Sequence, residues 1–280
     1  MGTLVKIDVA RSGADAALER AFDWFYQIEQ CCTRFDDRSE LMQLTRQVGR
    51  PVAVSAILFE SAQFALKVAE ETGGAFDPTV GHRMEASGFR REHRSGEIIR
   101  TQIAPADDVS YRDVHLDAGR RTIMLLRPLI LDLGAVVKGL AVDMAARELA
   151  SFTDFSIDAG GDLYLGGTNP MGEPWCVGIR HPRRDQELIH SLRVSNQAVC
   201  TSGDYERGRH ILDPRTRVPA NSVASATVVA PRAMLADALA TAAFVLGPAE
   251  GIALLDRMGV DGLIVTTGME RHETQGLCHA

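Results

Sequence analysis

The fold of this chain is organised around LDLGAVVKGLAVDMAARELA, residues 131–150. An apolar run ends at Asp132, a Gly-Ala turn follows, and the apolar residues after Lys138 recur at helical spacing. This pattern predicts a strand, a tight turn and a helix. A turn of small residues lets a ligand approach the backbone, and the N–H groups that begin a helix suit phosphate oxygens. Asp132 and Lys138 flank that place, although the pattern is equally typical of a purely structural corner.

The composition predicts a soluble globular protein. With 280 residues, 45% of them apolar, the chain can bury a substantial core. Thirty basic and 37 acidic residues give a net charge of −7 without a long basic run, which argues against nucleic acid as a partner. The five cysteines show no C-x-x-C spacing, so neither a disulfide framework nor a zinc site is indicated.

The sequence carries no signal for a membrane or for export. No apolar stretch reaches the ~20 residues of a membrane span. Residues 1–30 also lack the basic start and the apolar block of a signal peptide, so a cytoplasmic protein is expected. A trimmed chain from another compartment is the alternative.

Helical and extended patterns alternate without a repeat or a linker, which predicts one α+β unit over residues 1–267 and a poorly ordered tail at 268–280. Ser55 is expected to cap a helix that stops at two glycines. In the strand at 155–167, paired glycines indicate a break. The other expected elements are strands at 4–9, 175–179, 188–194, 224–230 and 263–267, of which 175–194 continues the main sheet, a hairpin at 114–126, and helices at 14–32, 234–247 and 248–258.

Two segments are denser in polar residues than a turn requires. The first is GGAFDPTVGHR, residues 73–83, where Asp77 could anchor a ribose or an adenine edge. An Asx turn before proline is the simpler interpretation of Asp77, and the local sequence favours it. The second is AVCTSGDYERGRHILDP, residues 198–214, which contains His210. A single histidine is more often structural or solvated than catalytic.

A carboxylate also stands on an apolar helix. Asp237 and Thr241 lie four residues apart in an alanine-rich pattern, so they share one face. A buried carboxylate needs compensation, and a hard cation with oxygen ligands would provide it. Backbone hydrogen bonds to Asp237 would serve equally well.

Together these motifs resemble a known family. They are MGTLVKI, FDDRSELMQL, GGAFDPTVG, DLGAVVKGLAVD, IDAGGDLYLGG, TSGDYERGRHILDPRT and APRAMLADALATAAFVLG, and they span nearly all of residues 1–267. In order and spacing they are similar to the FAD:protein FMN transferases of the ApbE type. The resemblance implies a single α+β domain of the T-fold-related kind, with mixed or antiparallel sheets flanked by helices.

The resemblance also implies a chemistry. Members of the family use Mg²⁺ to transfer FMN from FAD to a threonine or serine hydroxyl of an acceptor flavoprotein, releasing AMP. The residues implied as metal ligands are Ala135, through its carbonyl, Asp237 and Thr241. His210 and Asp237 are implied as catalytic. The implied FAD contacts are Met1, Ala75, Phe76, Asp77, Asp132, Lys138 and Ile211.

Two other functions fit the same residues. A Mg²⁺-dependent FAD pyrophosphatase would use water in place of the acceptor hydroxyl. A carrier would bind FAD without chemistry. Many members of the family are exported lipoproteins, so a trimmed periplasmic form is the alternative to a cytoplasmic protein.

Overall fold

The computed structural model describes residues 2–90, 96, 98, 101, 103–104, 106, 108–184, 186–205 and 211–277. Within these residues the chain forms seven α-helices and twelve β-strands. The helices are α1 (Asp15–Cys32), α2 (Glu40–Thr45), α3 (Ala56–Glu71), α4 (Gly81–Ala86), α5 (Gly134–Glu148), α6 (Ala233–Leu246) and α7 (Pro248–Met258). The strands are β1 (Val5–Val9), β2 (Val52–Ala53), β3 (Val114–Asp117), β4 (Thr122–Leu125), β5 (Phe155–Ala159), β6 (Asp162–Gly166), β7 (Trp175–Arg180), β8 (Leu188–Val194), β9 (Gln197–Gly203), β10 (Val223–Ala230), β11 (Asp261–Thr266) and β12 (Arg271–Glu273).

The chain falls into two compact units. Unit 1 consists of Met1–Gly2, Tyr26–Val137 and Leu212–Val218. Unit 2 consists of Thr3–Phe25, Lys138–Ile211 and Pro219–Ala280. Both units combine helices with antiparallel strands, and the predicted α+β fold class is confirmed.

Unit 2 is built on a seven-stranded antiparallel sheet in the order β1-β5-β6-β9-β10-β11-β12. Every residue of β10 is buried. One face of the sheet carries α6, which packs on β9 and β10. Since side chains alternate along a strand, Val199 and Val229 point to the other face, where they join an apolar cluster with Val177 and Leu192 of β7 and β8.

Two expectations about this sheet are wrong. The sequence predicts that β7 and β8 continue it, but among the described strands they pair only with each other and form a separate two-stranded sheet. Alternating apolar residues fit equally well into a sheet that packs face to face on another sheet. The predicted broken strand is instead a hairpin, in which Gly160 and Gly161 adopt positive φ of 66° and 92° and Ala159 pairs with Asp162.

Unit 1 contains the three-stranded sheet β2-β4-β3 together with α2, α3 and α4. The predicted hairpin is confirmed as β3 and β4. The cap of α3 is confirmed as well, since Ser55 Oγ accepts a hydrogen bond from the N–H of Leu58 at 3.2 Å. The helix ends before Gly73 and Gly74, both at positive φ, as the glycine signal predicts.

The predicted strand before α5 is not a strand. Its residues are buried, but their backbone bonds to the turn at Pro78–Gly81 rather than to a neighbouring strand: Asp132 N–H donates to the Pro78 carbonyl at 2.7 Å, and the Ile130 carbonyl accepts from Gly81 N–H at 3.1 Å. A buried apolar run has the same pattern in both situations. Since α5 begins at Gly134, Lys138 lies inside the helix rather than in a turn before it.

Part of the expected tail is structured. Residues 271–273 form β12, which pairs with β11, and Leu277 belongs to the apolar cluster of unit 2. The prediction of poor order therefore does not hold for these residues, while 278–280 lie outside the described residues. None of the helices in the described part of the chain combines the length and the apolar character needed to cross a membrane.

Candidate active site

In unit 1, Asp77 orders the segment in which FAD contacts are expected. Its Oδ1 accepts hydrogen bonds from the N–H of Thr79 at 2.9 Å and from the Thr79 hydroxyl at 2.7 Å, and its Oδ2 accepts from Tyr111 N–H at 3.0 Å. Burial raises the pKa of Asp77 above its usual value, although these hydrogen bonds act in the opposite direction. The Asx turn is thus present in the structure. Ala75 and Phe76, which precede it, are buried.

Asp132 stands at the start of α5, also in unit 1. Its Oδ1 accepts from the N–H of Gly134 at 2.9 Å, which satisfies one of the amides that a helix start leaves without an intrahelical partner. Its Oδ2 accepts from Arg34 Nε at 2.7 Å. The carboxylate is therefore held on both oxygens. Ala135 follows in the first turn of the helix.

In unit 2, α6 carries the expected metal ligands. Asp237 is 5% exposed, and Thr241 lies one turn further along the same helix. The Thr241 hydroxyl is 3.1 Å from Ser202 Oγ of β9, so a carboxylate and two hydroxyls gather where α6 packs on the sheet. Ser202 belongs to the polar segment 198–214 that the sequence marks, but nothing in its local pattern distinguishes it from its polar neighbours.

Lys138 provides the positive charge beside these groups. Its ammonium forms an ion pair with Asp162, which is only 1% exposed. Burial lowers the pKa of Lys138, but the carboxylates of Asp237 and Asp162 more than offset this, and the net pKa is raised. Lys138 therefore stays charged at neutral pH. Burial raises the pKa of the nearby Cys200 thiol well above its usual value, so this thiol stays neutral.

These residues fit a hard divalent cation. The donors are carboxylate and hydroxyl oxygens, and two carboxylates face one ammonium, which leaves a net negative charge for Mg²⁺ to balance. Among the described residues, no group of three or more His, Cys, Asp or Glu side chains could hold a metal by itself.

A close contact between α5 and α6 fixes this arrangement. A Cβ on Gly139 would lie 2.5 Å from the carbonyl carbon of Ala233 and 2.6 Å from the Cα of Met234, so the two backbones touch at this glycine. One turn further on α5, Asp143 accepts from the N–H of Ala233 at 2.7 Å and from that of Met234 at 3.1 Å. Asp143 thus caps α6 from a neighbouring helix.

Asp143 should make stability depend on pH. Burial raises its pKa from 3.8 to about 6, against the two backbone hydrogen bonds and Arg232. Because the pKa of Asp143 is higher in the folded state than in the unfolded state, the protonated carboxyl group favours folding. This contribution to stability is fully present below about pH 4 and is lost as the pH rises through about 6. Between these limits, the free energy of unfolding should fall by up to about 3 kcal/mol relative to Asp143→Asn. Urea unfolding of both proteins at about pH 4 and pH 7 measures this; a constant difference would mean that folding does not shift the pKa of Asp143.

The structure brings together some of the predicted site residues. Within unit 2, Asp237, Thr241 and Lys138 share one cluster. Ile211 belongs to the same unit and is buried. Within unit 1, residues 75–77 form one ordered turn, and Asp132 bonds to it through Pro78. The predicted residues that lie outside the described part of the chain are Met1 and His210.

Sequence reasoning missed Asp143 as a cap and Arg34 as the partner of Asp132. A cap that reaches across 90 residues leaves no local pattern. For Arg34, the one available signal was a charged residue two positions after the end of α1.

Comparison with known proteins gives a consistent result. The ApbE family model matches residues 1–264. The FAD:protein FMN transferase of Treponema pallidum is 35% identical, over 95% of this chain and 82% of that protein. The FAD:protein FMN transferase of Vibrio cholerae is 31% identical, over 81% of this chain and 72% of that protein. The crystal structure of the ApbE protein from Thermotoga maritima matches with a TM-score of 0.85 and 30% identity, over 98% of this chain and 94% of that chain. This chain, whose motifs, fold and relatives all agree, belongs to the ApbE family.

Proposed function

We propose that the protein is an FAD:protein FMN transferase that uses Mg²⁺ and places FMN on a threonine or serine hydroxyl of an acceptor flavoprotein. The activity is that of its named relatives. The observation that carries the proposal is the cluster of Asp237, Thr241 and Lys138, because it gathers hard oxygen donors and a fixed cation in a buried setting. Such a setting suits a reaction at a pyrophosphate.

The reaction forms one bond and breaks another. The acceptor hydroxyl oxygen attacks the phosphorus on the FMN side, the pyrophosphate P–O bond breaks, AMP leaves with the bridging oxygen, and the hydroxyl loses its proton. Bound Mg²⁺ would neutralise charge on the phosphate oxygens. Asp237 and Thr241 would hold the metal through their oxygens.

Lys138 has a distinct task in this proposal. Asp162 holds its ammonium, and because an ammonium carries three N–H donors, it can donate to a phosphate oxygen without leaving Asp162. His210 is proposed to accept the hydroxyl proton, on the basis of the HILDP motif alone.

The test is incubation with FAD and an acceptor subunit, with Mg²⁺ or with EDTA. We expect AMP release and a phosphoester-linked flavin on the acceptor, both dependent on Mg²⁺. The matched control is an acceptor whose target hydroxyl has been replaced by alanine. If free FMN and AMP appear at the same rate with either acceptor, the protein is an FAD pyrophosphatase. If FAD remains unchanged under all of these conditions, the protein is a carrier.

A further inference from the structure

Arg34 is buried just after the end of α1, in unit 1. Its side chain is 5% exposed, which is uncommon for a guanidinium. Nε donates to Asp132 Oδ2 at 2.7 Å, and Nη2 donates to the Phe89 carbonyl at 2.6 Å. The guanidinium carbon also lies 4.1 Å from the centroid of the Phe35 ring. These contacts hold the guanidinium in one orientation.

One donor atom of Arg34 is left over. Nη1 is buried and has no hydrogen-bond partner among the described residues. A buried donor in this state costs about 1–3 kcal/mol, and such groups in folded proteins call for an explanation. Stability alone would favour a residue without the extra N–H. The side chain is therefore better explained by what its other two nitrogens do.

What they do is fix the Asp132 carboxylate. Gly134 N–H binds Oδ1 and Arg34 binds Oδ2, so the plane of the carboxylate is set from the two ends. The second guanidinium bond, to the Phe89 carbonyl, prevents rotation about the Nε contact. The Asp132 side chain is 22% exposed, so it is not closed off from solvent.

We infer that Arg34 is a positioning residue for flavin binding, which holds the Asp132 carboxylate in the orientation that receives FAD. This inference rests on the proposed function, because Asp132 is an expected FAD contact. Arg34 acts through Asp132 and needs no contact with the ligand. Lysine cannot replace it, since one ammonium on a flexible stem cannot hold both Asp132 and the Phe89 carbonyl in a fixed geometry.

The experiment measures FAD affinity rather than turnover, by quenching of flavin fluorescence. Arg34→Met and Arg34→Lys should each raise the Kd for FAD roughly 10- to 100-fold, the value of one or two charge-assisted hydrogen bonds. Asp132→Asn should have a similar effect. The double variant Arg34→Met with Asp132→Asn should be no weaker than the weaker single variant, because both changes remove the same oriented group.

Two controls separate positioning from a general loss of structure. Arg112→Met removes a guanidinium that is also stacked on a neighbouring ring, that of Tyr111, but is exposed, and it should leave the Kd unchanged. In Arg34→Ala, millimolar methylguanidinium should restore FAD affinity, whereas urea at the same concentration should not. Circular dichroism confirms that each variant is folded.

The outcomes are distinct. Wild-type protein that fails to bind FAD would contradict the proposed function, not the role of Arg34. Wild-type binding together with a Kd within twofold for Arg34→Met and Arg34→Lys would overturn the inference. Strictly additive effects in the double variant would overturn it too, since Arg34 would then act independently of Asp132.

Discussion

Replacing Asp237 with alanine is expected to lower Mg²⁺-dependent FMN transfer by about 10³-fold or more and to leave the fold intact. Asp237 is the buried carboxylate of the α6 cluster and would carry most of the negative charge that holds the metal. A loss of several kcal/mol of charge stabilisation corresponds to a rate change of this size. Lys138 keeps Asp162 as its partner in the variant, so no buried charge is left alone.

Two measurements test this. Single-turnover transfer at increasing Mg²⁺ separates weakened metal binding from slower chemistry, and Mn²⁺ binding without FAD reports the metal site independently of activity. Thr241→Ala should lower the transfer rate less, roughly tenfold, because the Ser202 hydroxyl, which lies 3.1 Å from the Thr241 hydroxyl in the wild type, remains. Asp256→Ala, on the exposed side of α7, is the matched control and should behave as wild type. Near-normal transfer by Asp237→Ala would falsify the metal assignment.

Replacing Gly139 with alanine is expected to destabilise the protein by about 3 kcal/mol and to reduce transfer strongly. In most helices this change stabilises by up to about 1 kcal/mol, because alanine has the higher helix propensity. Here the new Cβ would overlap the Ala233 carbonyl, and backbone atoms cannot rotate away as a side chain can. The sign of the effect is therefore reversed.

The measurement is the free energy of urea unfolding together with the rate of FMN transfer. Gly268→Ala is the control, because a Cβ there would meet Thr266 Oγ1 at an ordinary 3.7 Å. A Gly139→Ala protein that is more stable than wild type would show that α5 and α6 can move apart without a loss of stability. The close contact between the two helices would then not fix the arrangement of the site.

Local chemistry explains what the sequence could predict. Ser55 caps α3 by accepting a hydrogen bond from the N–H of Leu58, three residues further along the chain. Asp237 and Thr241 share a face because an α-helix brings together positions that are four residues apart. Each of these features depends on a few neighbouring residues. The alternating helical and extended patterns predicted the α+β class, and the extended family motifs added the chemistry.

Contacts between distant residues explain what it could not predict. Arg34 meets Asp132 across 98 residues, and Asp143 meets Ala233 across 90. The buried run before α5 has the apolar pattern of a strand, but its hydrogen bonds go to a turn at Pro78. An apolar pattern in the sequence indicates that a segment is buried, but it does not indicate which groups accept or donate its backbone hydrogen bonds.

The position of β1 has a consequence for how the protein is made. β1 pairs with β5, Val5 opposite Ala159, so about 150 residues separate the partners. A ribosome that adds roughly 5–20 residues per second exposes β1 for about eight to thirty seconds before β5 emerges. Lys6 and Asp8 alternate with the apolar residues of this strand and form an ion pair. Charges on an unpaired strand discourage its association with other nascent chains, so Lys6 and Asp8 protect β1 until β5 is made.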